Sequence, residues 1–290
     1  MNQVKTVGLL GLLSGLLVAI SYWVIGGTGG ALIGVVMAAA MNLGSWYYSD
    51  RIALAAYRAQ PVDAAEAPAL HRMVKQLSDR ASLPMPAVYI IPTDSLNAFA
   101  TGRDPEHGAV AVTKGLMAIL PEDELEGVIA HEMTHIRNRD TLTQAVAATL
   151  GGAISFLAQM MSYSMWFGGM SRDNNNSSAN PLGLLLTVML APMAATVIQM
   201  GISRTREYSA DAGAAELTGN PRALAQALQR LDQSARQVPI QANPAFEPLL
   251  IMNALPKGGF KNLFSTHPST EDRVSRLLQL EQSRNGVMAR

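Results

Sequence analysis

At 290 residues the chain is long enough for about two structural units of roughly 150 residues each. Its 22 basic and 22 acidic residues cancel. That balance excludes the basic excess of a nucleic-acid-binding surface, and nucleic acid is not an expected partner. There is no cysteine, which excludes disulfide frameworks, thiol nucleophiles, iron–sulfur clusters and cysteine zinc sites. Any catalytic metal must therefore be held by His, Asp or Glu.

Charged residues make up only 15% of the chain, against about 25% in an average soluble domain. The shortfall is local. No charged residue occurs from Thr6 to Ser49, from Thr141 to Ser171 or from Asn174 to Ser203. A bilayer core takes about 20 apolar residues per helix, so the first gap suits two spans. Gly26, Gly27, Thr28, Gly29 and Gly30 predict the turn between Val7–Ile25 and Ala31–Tyr48. The second run closes on Trp46, Tyr47 and Tyr48, the pattern of an interfacial aromatic belt. A secretory signal fits poorly, because no small-residue cleavage site follows and a second apolar run begins at once.

Two more spans are expected near Leu142–Phe167 and Leu182–Ile202, joined by the polar loop Ser171–Asn180. Gln144, Gln159, Pro192 and Gln199 leave open a buried hairpin inside a soluble domain instead. Lys5, Arg51, Arg58, Arg137, Arg139, Arg204 and Arg206 flank one side of the four spans and Arg172 alone the other. This bias puts both termini and both charged segments in the cytoplasm. The expected organisation is a membrane hairpin over 1–49, a cytoplasmic catalytic part over 50–140, a second membrane hairpin over 141–203 and a second cytoplasmic catalytic part over 204–290.

Between the membrane segments the pattern predicts a helix over Pro68–Ala81 and short strands near Val88–Ile91, Leu96–Ala100 and Ala109–Thr113. Asp104, Pro105 and Glu106, between Gly102 and Gly108, read as the loop of an antiparallel hairpin. The fold class expected is α+β and mainly helical, with four transmembrane helices and a small antiparallel sheet. A further helix starts at Pro121, with Glu122, Asp123 and Glu124 in the first turn, where carboxylates suit the helix dipole.

That helix carries His131, Glu132, Met133, Thr134 and His135, an H-E-x-x-H pattern. Two imidazoles four residues apart on a helix point the same way, as two ligands of one zinc ion must. Glu132 falls in the apolar sector made by Leu125, Val128, Ile129, Met133 and Ile136. Desolvation there raises a carboxyl pKa towards that of a general base, while a bound cation pulls it down. Catalytic zinc has three protein ligands. The metzincin pattern fails because Asn138 and Thr141 stand where Gly and His are needed. His71, His107 and His267 lie in other segments, which makes a carboxylate the leading third ligand. Glu207 and Asp211 stand four apart in Ser203–Asp211, where one can bind metal and the other can take a ligand imidazole N–H. Salt bridges to Arg204 or Arg206 on a solvated surface are the alternative use of these two carboxylates.

These residues resemble the HtpX-type membrane proteases, relatives of the CAAX prenyl endopeptidases and gluzincins. The resemblance covers nearly the whole chain. It rests on the paired N-terminal spans, Asn97–Gly102, His131–His135, Glu207–Asp211 and Thr266-His267-Pro268. It implies that His131, His135 and Glu207 bind one Zn2+ per chain, that Glu132 is the base and that Asp211 orients a ligand histidine. It also implies a cytoplasmic catalytic domain at the bacterial inner membrane, acting on damaged membrane proteins as a quality-control endopeptidase. Polypeptide substrates and the lipid bilayer are the expected partners. Asn97, Ala98, Phe99 and Ala100 are read as an edge strand that pairs with extended substrate, or as an ordinary core strand. His267 is read as stabilising the tetrahedral oxyanion, or as a loop residue that caps or packs before Pro268. His71 and His107 carry no assigned role. Two other classes share the same ligands: a non-proteolytic zinc hydrolase, and a membrane scaffold or transporter with a structural metal. The second is disfavoured because the spans hold no ionisable group at mid-bilayer.

Overall fold

The computed structural model describes residues 8, 11, 14, 15, 17–19, 21, 22, 26–144, 204–237 and 268–288. The expected spans over Leu142–Phe167 and Leu182–Ile202 lie almost wholly outside these residues, as do the Ser171–Asn180 loop and His267. Most of Val7–Ile25 does too.

Helix α1, Gly27–Ala56, is 30 residues long, about 45 Å at 1.5 Å per residue. Its stretch Gly27–Gly44 has a mean hydropathy of 1.4 and is the one candidate membrane span among the described residues. Leu32, Val36 and Leu43 stand exposed along it. The expected glycine turn is shorter than read. Gly26 and Gly27 take positive φ (96° and 60°), and the remaining glycines already belong to the helix. Two left-handed residues suffice to break the run, so the others are free to continue it. The first apolar run lies against α1: Asn42 Nδ2 donates to Ser14 Oγ at 2.8 Å. A Cβ on Gly34 would stand 2.8 Å from the Val18 Cα. Position 14 beside 42 and 18 beside 34 is an antiparallel register, and the missing side chain at Gly34 is what permits the close approach.

Past the end of α1 come β1 (Gln60–Pro61), α2 (Pro68–Ala81), β2 (Ala87–Ile91), β3 (Ala98–Thr101) and β4 (Ala109–Thr113). Helix α2 has the predicted bounds. Proline opens its first turn, and Leu70, Met73, Val74 and Leu77 recur at helical spacing on its buried face. Ser82 in the left-handed region ends it.

The sheet order is β1-β2-β4-β3, and the sheet is mixed rather than antiparallel. β3 and β4 form the predicted antiparallel hairpin, with Ala100 opposite Val110. β4, however, inserts between β3 and β2 and pairs parallel to β2, Tyr89 opposite Ala111. All five β4 residues are buried, as befits a central strand covered on both faces. An alternating or short apolar run does not encode which strand becomes its neighbour, and this is where the sequence expectation departs from the fold.

Among the described residues, the helices that follow are α3 (Lys114–Ile119), α4 (Glu122–Arg137), α5 (Arg204–Thr218), α6 (Pro221–Gln237) and α7 (Thr270–Met288). α4 begins after Pro121 with three carboxylates in its first turn and ends at Asn138. It is the central element: Leu125, Val128, Ile129, Met133 and Ile136 join residues of α2, the sheet, α5, α6 and α7 in one buried core. Two glycines set its contacts. A Cβ on Gly127 would stand 3.0 Å from the Leu224 amide of α6. One on Gly213 of α5 would stand 2.4 Å from Thr134 Cγ2. Buried Glu124 of α4 is bound by the Arg230 fork of α6 at 2.9 and 2.8 Å.

Candidate metal centre

His131 and His135 lie one turn apart on α4, their ring planes 89° apart. Gly213 lets α5 pack close enough for Glu207 to reach both: its Oε2 is 3.6 Å from His131 Nε2, and its Oε1 is 3.6 Å from His135 Nε2. One ligand atom from each of the three lies within 4.8 Å of the others. A tetrahedral zinc with bonds near 2.0–2.2 Å separates its ligands by about 3.3 Å, so the tripod is close to the required spacing. All three side chains are buried, and His2Glu is a donor set of catalytic zinc sites.

Each imidazole is fixed from behind, which selects Nε2 as the free nitrogen. His131 Nδ1 is 2.9 Å from Asp211 Oδ1, one turn beyond Glu207 on α5. His135 Nδ1 is 3.0 Å from Asp140 Oδ2. A carboxylate on the far ring nitrogen sets the tautomer and raises ligand basicity. Asp211 is held in turn by Arg273 of α7, whose Nε and Nη2 donate to Oδ2 and Oδ1 at 2.9 and 2.6 Å. Arg273 Nη2 also lies 3.3 Å from His131 Nδ1. Nδ1 already donates to Asp211, but Nε2 also lies 3.5 Å from Nη2, so the guanidinium stands against the ring within reach of the nitrogen that faces Glu207.

Electrostatics follow the same chain. Burial and the Arg273 charge both disfavour protonation of His131, yet its hydrogen bonds with Asp211 and Glu207 outweigh them and lift its pKa to about 9. Burial alone would raise the Asp211 carboxyl, but Arg273 outweighs it and holds the group at about 2. Glu132 is held above the ordinary carboxyl range, chiefly by burial, with the two imidazoles pulling the other way. Among the described residues, the buried carboxylates around the tripod are those of Glu132, Asp140, Glu207 and Asp211, and the buried guanidinium groups those of Arg206 and Arg273. The carboxylates outnumber the guanidinium groups, and a bound dication would take the place of the proton that His131 otherwise holds.

Glu132 Oε2 accepts the Ala100 amide at 2.9 Å, which ties the H-E-x-x-H helix to β3. β3 is the sheet edge. The Thr113 amide donates to the Asn97 carbonyl across the hairpin at 3.0 Å. By antiparallel alternation the peptide groups of Ala98 and Ala100 then turn away from β4, towards Glu132. The Phe99 side chain points the other way, its ring 5.0 Å from Tyr57 at the end of α1.

Three neighbours of the tripod escaped the sequence reading. Asp140 was within reach of it, being the first carboxylate after the helix that carries His135. Arg273 was not, since 142 positions separate it from His131. Arg206, read as a residue flanking a span, is buried. The two other described histidines stand apart: His71 Nε2 is 2.8 Å from the Val62 carbonyl oxygen, and His107 Nδ1 is 2.6 Å from Asp104 Oδ1.

A buried His2Glu tripod, with a glutamate beside it on the same H-E-x-x-H helix, defines a gluzincin-type zinc metallopeptidase. The chain belongs to peptidase family M48, whose family model matches residues 64–281, and it is an HtpX homologue within that family. It is 71% identical over 281 residues to the protease HtpX homolog of Nostoc punctiforme, covering 97% of each chain. To the protease HtpX homolog of Burkholderia ambifaria it is 47% identical over 285 residues, covering 97% of this chain and 98% of the relative. The fold is also similar to the crystal structure of S. mikatae Ste24p, at a TM-score of 0.50 and 19% identity. That match covers 95% of this chain and 64% of the other.

Proposed function

We propose that the protein is a membrane-anchored zinc endopeptidase that cuts extended segments of misfolded or damaged membrane proteins close to the cytoplasmic face of the bilayer. The observation that carries this reading is the contact between Glu132 and the Ala100 amide, which sets a buried carboxylate between the metal tripod and the backbone of an edge strand. An extended substrate adding to β3 through Ala98 and the Ala100 carbonyl, with the Ala100 amide kept by Glu132, would bring a peptide carbonyl to the tripod. Main-chain pairing of this kind selects for a free backbone more than for a sequence, which suits unfolded substrates.

His131, His135 and Glu207 would hold a zinc ion, which when bound would supply Lewis acidity towards the scissile carbonyl and the attacking water. Glu132 takes the water proton and hands it to the leaving amine, a role matched by a carboxyl kept above its ordinary range by burial. Asp211 and Asp140 hold the two imidazoles in register. His267, outside the described residues, is assigned to the developing oxyanion. Asn97 holds the start of the substrate strand through its amide bond to Thr113 Oγ1 and its carbonyl bond from the Thr113 amide.

Membrane attachment in this reading comes from four spans, two in 1–49 and two in 141–203, with the catalytic parts over 50–140 and 204–290 in the cytoplasm. The antiparallel register of positions 14 and 18 with 42 and 34 supports the first pair. The β3–β4 hairpin reaches α1 at the aromatic belt: the Arg103 guanidinium lies 5.0 Å from the Tyr47 ring centroid. Aromatic belts sit at headgroup level, so the edge strand and tripod stand near the bilayer surface.

The test is an unfolded reporter tethered to the same membrane through linkers of graded length. Efficient cutting with the shortest linker that exposes a few residues is expected, since the site is at membrane level. Pure proximity gives only a smooth decline once the linker spans the distance. Cutting confined to long-linker or soluble reporters would refute the membrane-level site. Consumption of lipid in place of polypeptide would refute the endopeptidase reading.

A further inference from the structure

Arg206 precedes Glu207 on α5, and only 6% of its surface is exposed. None of its Nε, Nη1 and Nη2 atoms has a hydrogen-bond partner among the described residues. Burying five unbonded N–H donors together with a full charge is costly unless opposite charge faces them. Two carboxylates do: Asp140 and Glu207 both act on this guanidinium, while burial pulls its pKa below the ordinary arginine value.

The packing of α4 against α5 explains the placement. Glu207 meets His131 and His135, Asp211 meets His131, and Gly213 meets Thr134. Near the end of α4, Asn138 Nδ2 donates to Ser209 Oγ at 3.5 Å. Arg206 is one turn before Ser209 on the same side of α5. Asp140, the residue that takes the His135 imidazole, follows Asn138 by two positions. Arg206 is thus carried by α5, one position before Glu207, to the side of the tripod where His135 and Asp140 stand, buried and without the hydrogen bonds that join Arg273 to Asp211.

We propose that Arg206 is a positioning residue of the metal centre: its charge fixes the Asp140 carboxylate against His135, so that each ligand imidazole is backed by a carboxylate and then by an arginine. The two arginines work differently. Arg273 grips Asp211 through a two-bond fork, whereas Arg206 acts on Asp140 through its field alone. A fork cannot be replaced by an ammonium group, but a field can.

The inference rests on the metal site and not on the endopeptidase reading, so its readouts are metal binding. Full-length protein in detergent carries Arg206→Met, Arg206→Lys, Asp140→Asn or Arg206→Met with Asp140→Asn. Zinc affinity is measured by chelator competition, and ligand geometry by the ligand-field spectrum of the cobalt(II)-loaded protein. Arg206→Met should weaken zinc about 10- to 100-fold, the range for loss of a group behind a ligand histidine. The cobalt spectrum should shift as it does in Asp140→Asn. Arg206→Lys should stay within about threefold of the unaltered protein, because the charge remains. The double variant should bind zinc no more than about twofold worse than Asp140→Asn alone, as expected of two residues acting in series. Multiplying losses in the double variant, or unchanged affinity in Arg206→Met, overturns the proposal. If Arg206→Met does not fold, Arg206→Lys decides: a loss as large as that of Asp140→Asn overturns it.

Discussion

Gly213 tests how the packing of α5 on α4 sets the metal tripod. A Cβ added there would lie 2.4 Å from Thr134 Cγ2, 2.8 Å from Thr134 Oγ1 and 2.9 Å from Arg137 Nη2, where ordinary contacts run from 3.4 to 4 Å. The shortfall against Thr134 Cγ2 is about 1 Å, and Thr134 is poorly placed to yield. It is fully buried, and its hydroxyl donates to the Ala130 carbonyl at 2.8 Å. Overpacking of this kind costs about 1–3 kcal/mol. Alanine in place of glycine inside a helix returns about 1 kcal/mol. The net loss of fold stability in Gly213→Ala is therefore small, about 0–2 kcal/mol. Metal binding is far less tolerant, because ligand positions must hold within about 0.2 Å. Glu207 and Asp211 share the helix that must move. Gly213→Ala should thus unfold within a few degrees of the unaltered protein when metal-free, while its zinc affinity falls at least about tenfold. Adding Thr134→Ala removes both clashing Thr134 atoms and should restore most of the affinity. Zinc competition and thermal unfolding measure the two effects separately. Unchanged zinc affinity in Gly213→Ala would refute the argument that this contact positions the tripod.

Other outcomes follow from the same geometry. Asp211→Asn should weaken zinc binding about 10- to 100-fold, and Arg273→Lys should fail to preserve affinity because one ammonium cannot bond both Asp211 oxygens; full affinity in Arg273→Lys would contradict the fork. His131 must lose a proton held with a pKa of about 9 before it can ligate. Apparent zinc affinity should accordingly rise about tenfold per pH unit up to that value and then level off. An affinity constant from pH 6 to 9, measured by competition, would contradict it.

Much of this molecule is legible locally. Helix α2 is marked by its proline start and apolar spacing, and the two imidazoles by their four-residue interval on a helix opened by carboxylates. The β3–β4 hairpin is marked by its glycine-bounded loop. Long-range pairing is not encoded that way. The insertion of β4 between β2 and β3 depends on which strand best fills a layer covered on both faces. The burial of Arg206 and Arg273 depends on helices brought together from distant parts of the chain. The glycines at 127, 213 and 34 carried no signal of their own in the sequence. Their role appears only where another element occupies the space of the missing Cβ.

The central claim is that a metal held by His131, His135 and Glu207 works together with Glu132 as the base. Its most direct test is zinc content and cleavage of unfolded casein by purified Glu132→Gln protein, beside the unaltered chain with and without chelator. The account predicts about one zinc per chain in both proteins, chelator-sensitive cleavage by the unaltered chain and no cleavage by Glu132→Gln, since the substitution removes the base and leaves the ligands. Cleavage by Glu132→Gln at the unaltered rate would contradict it.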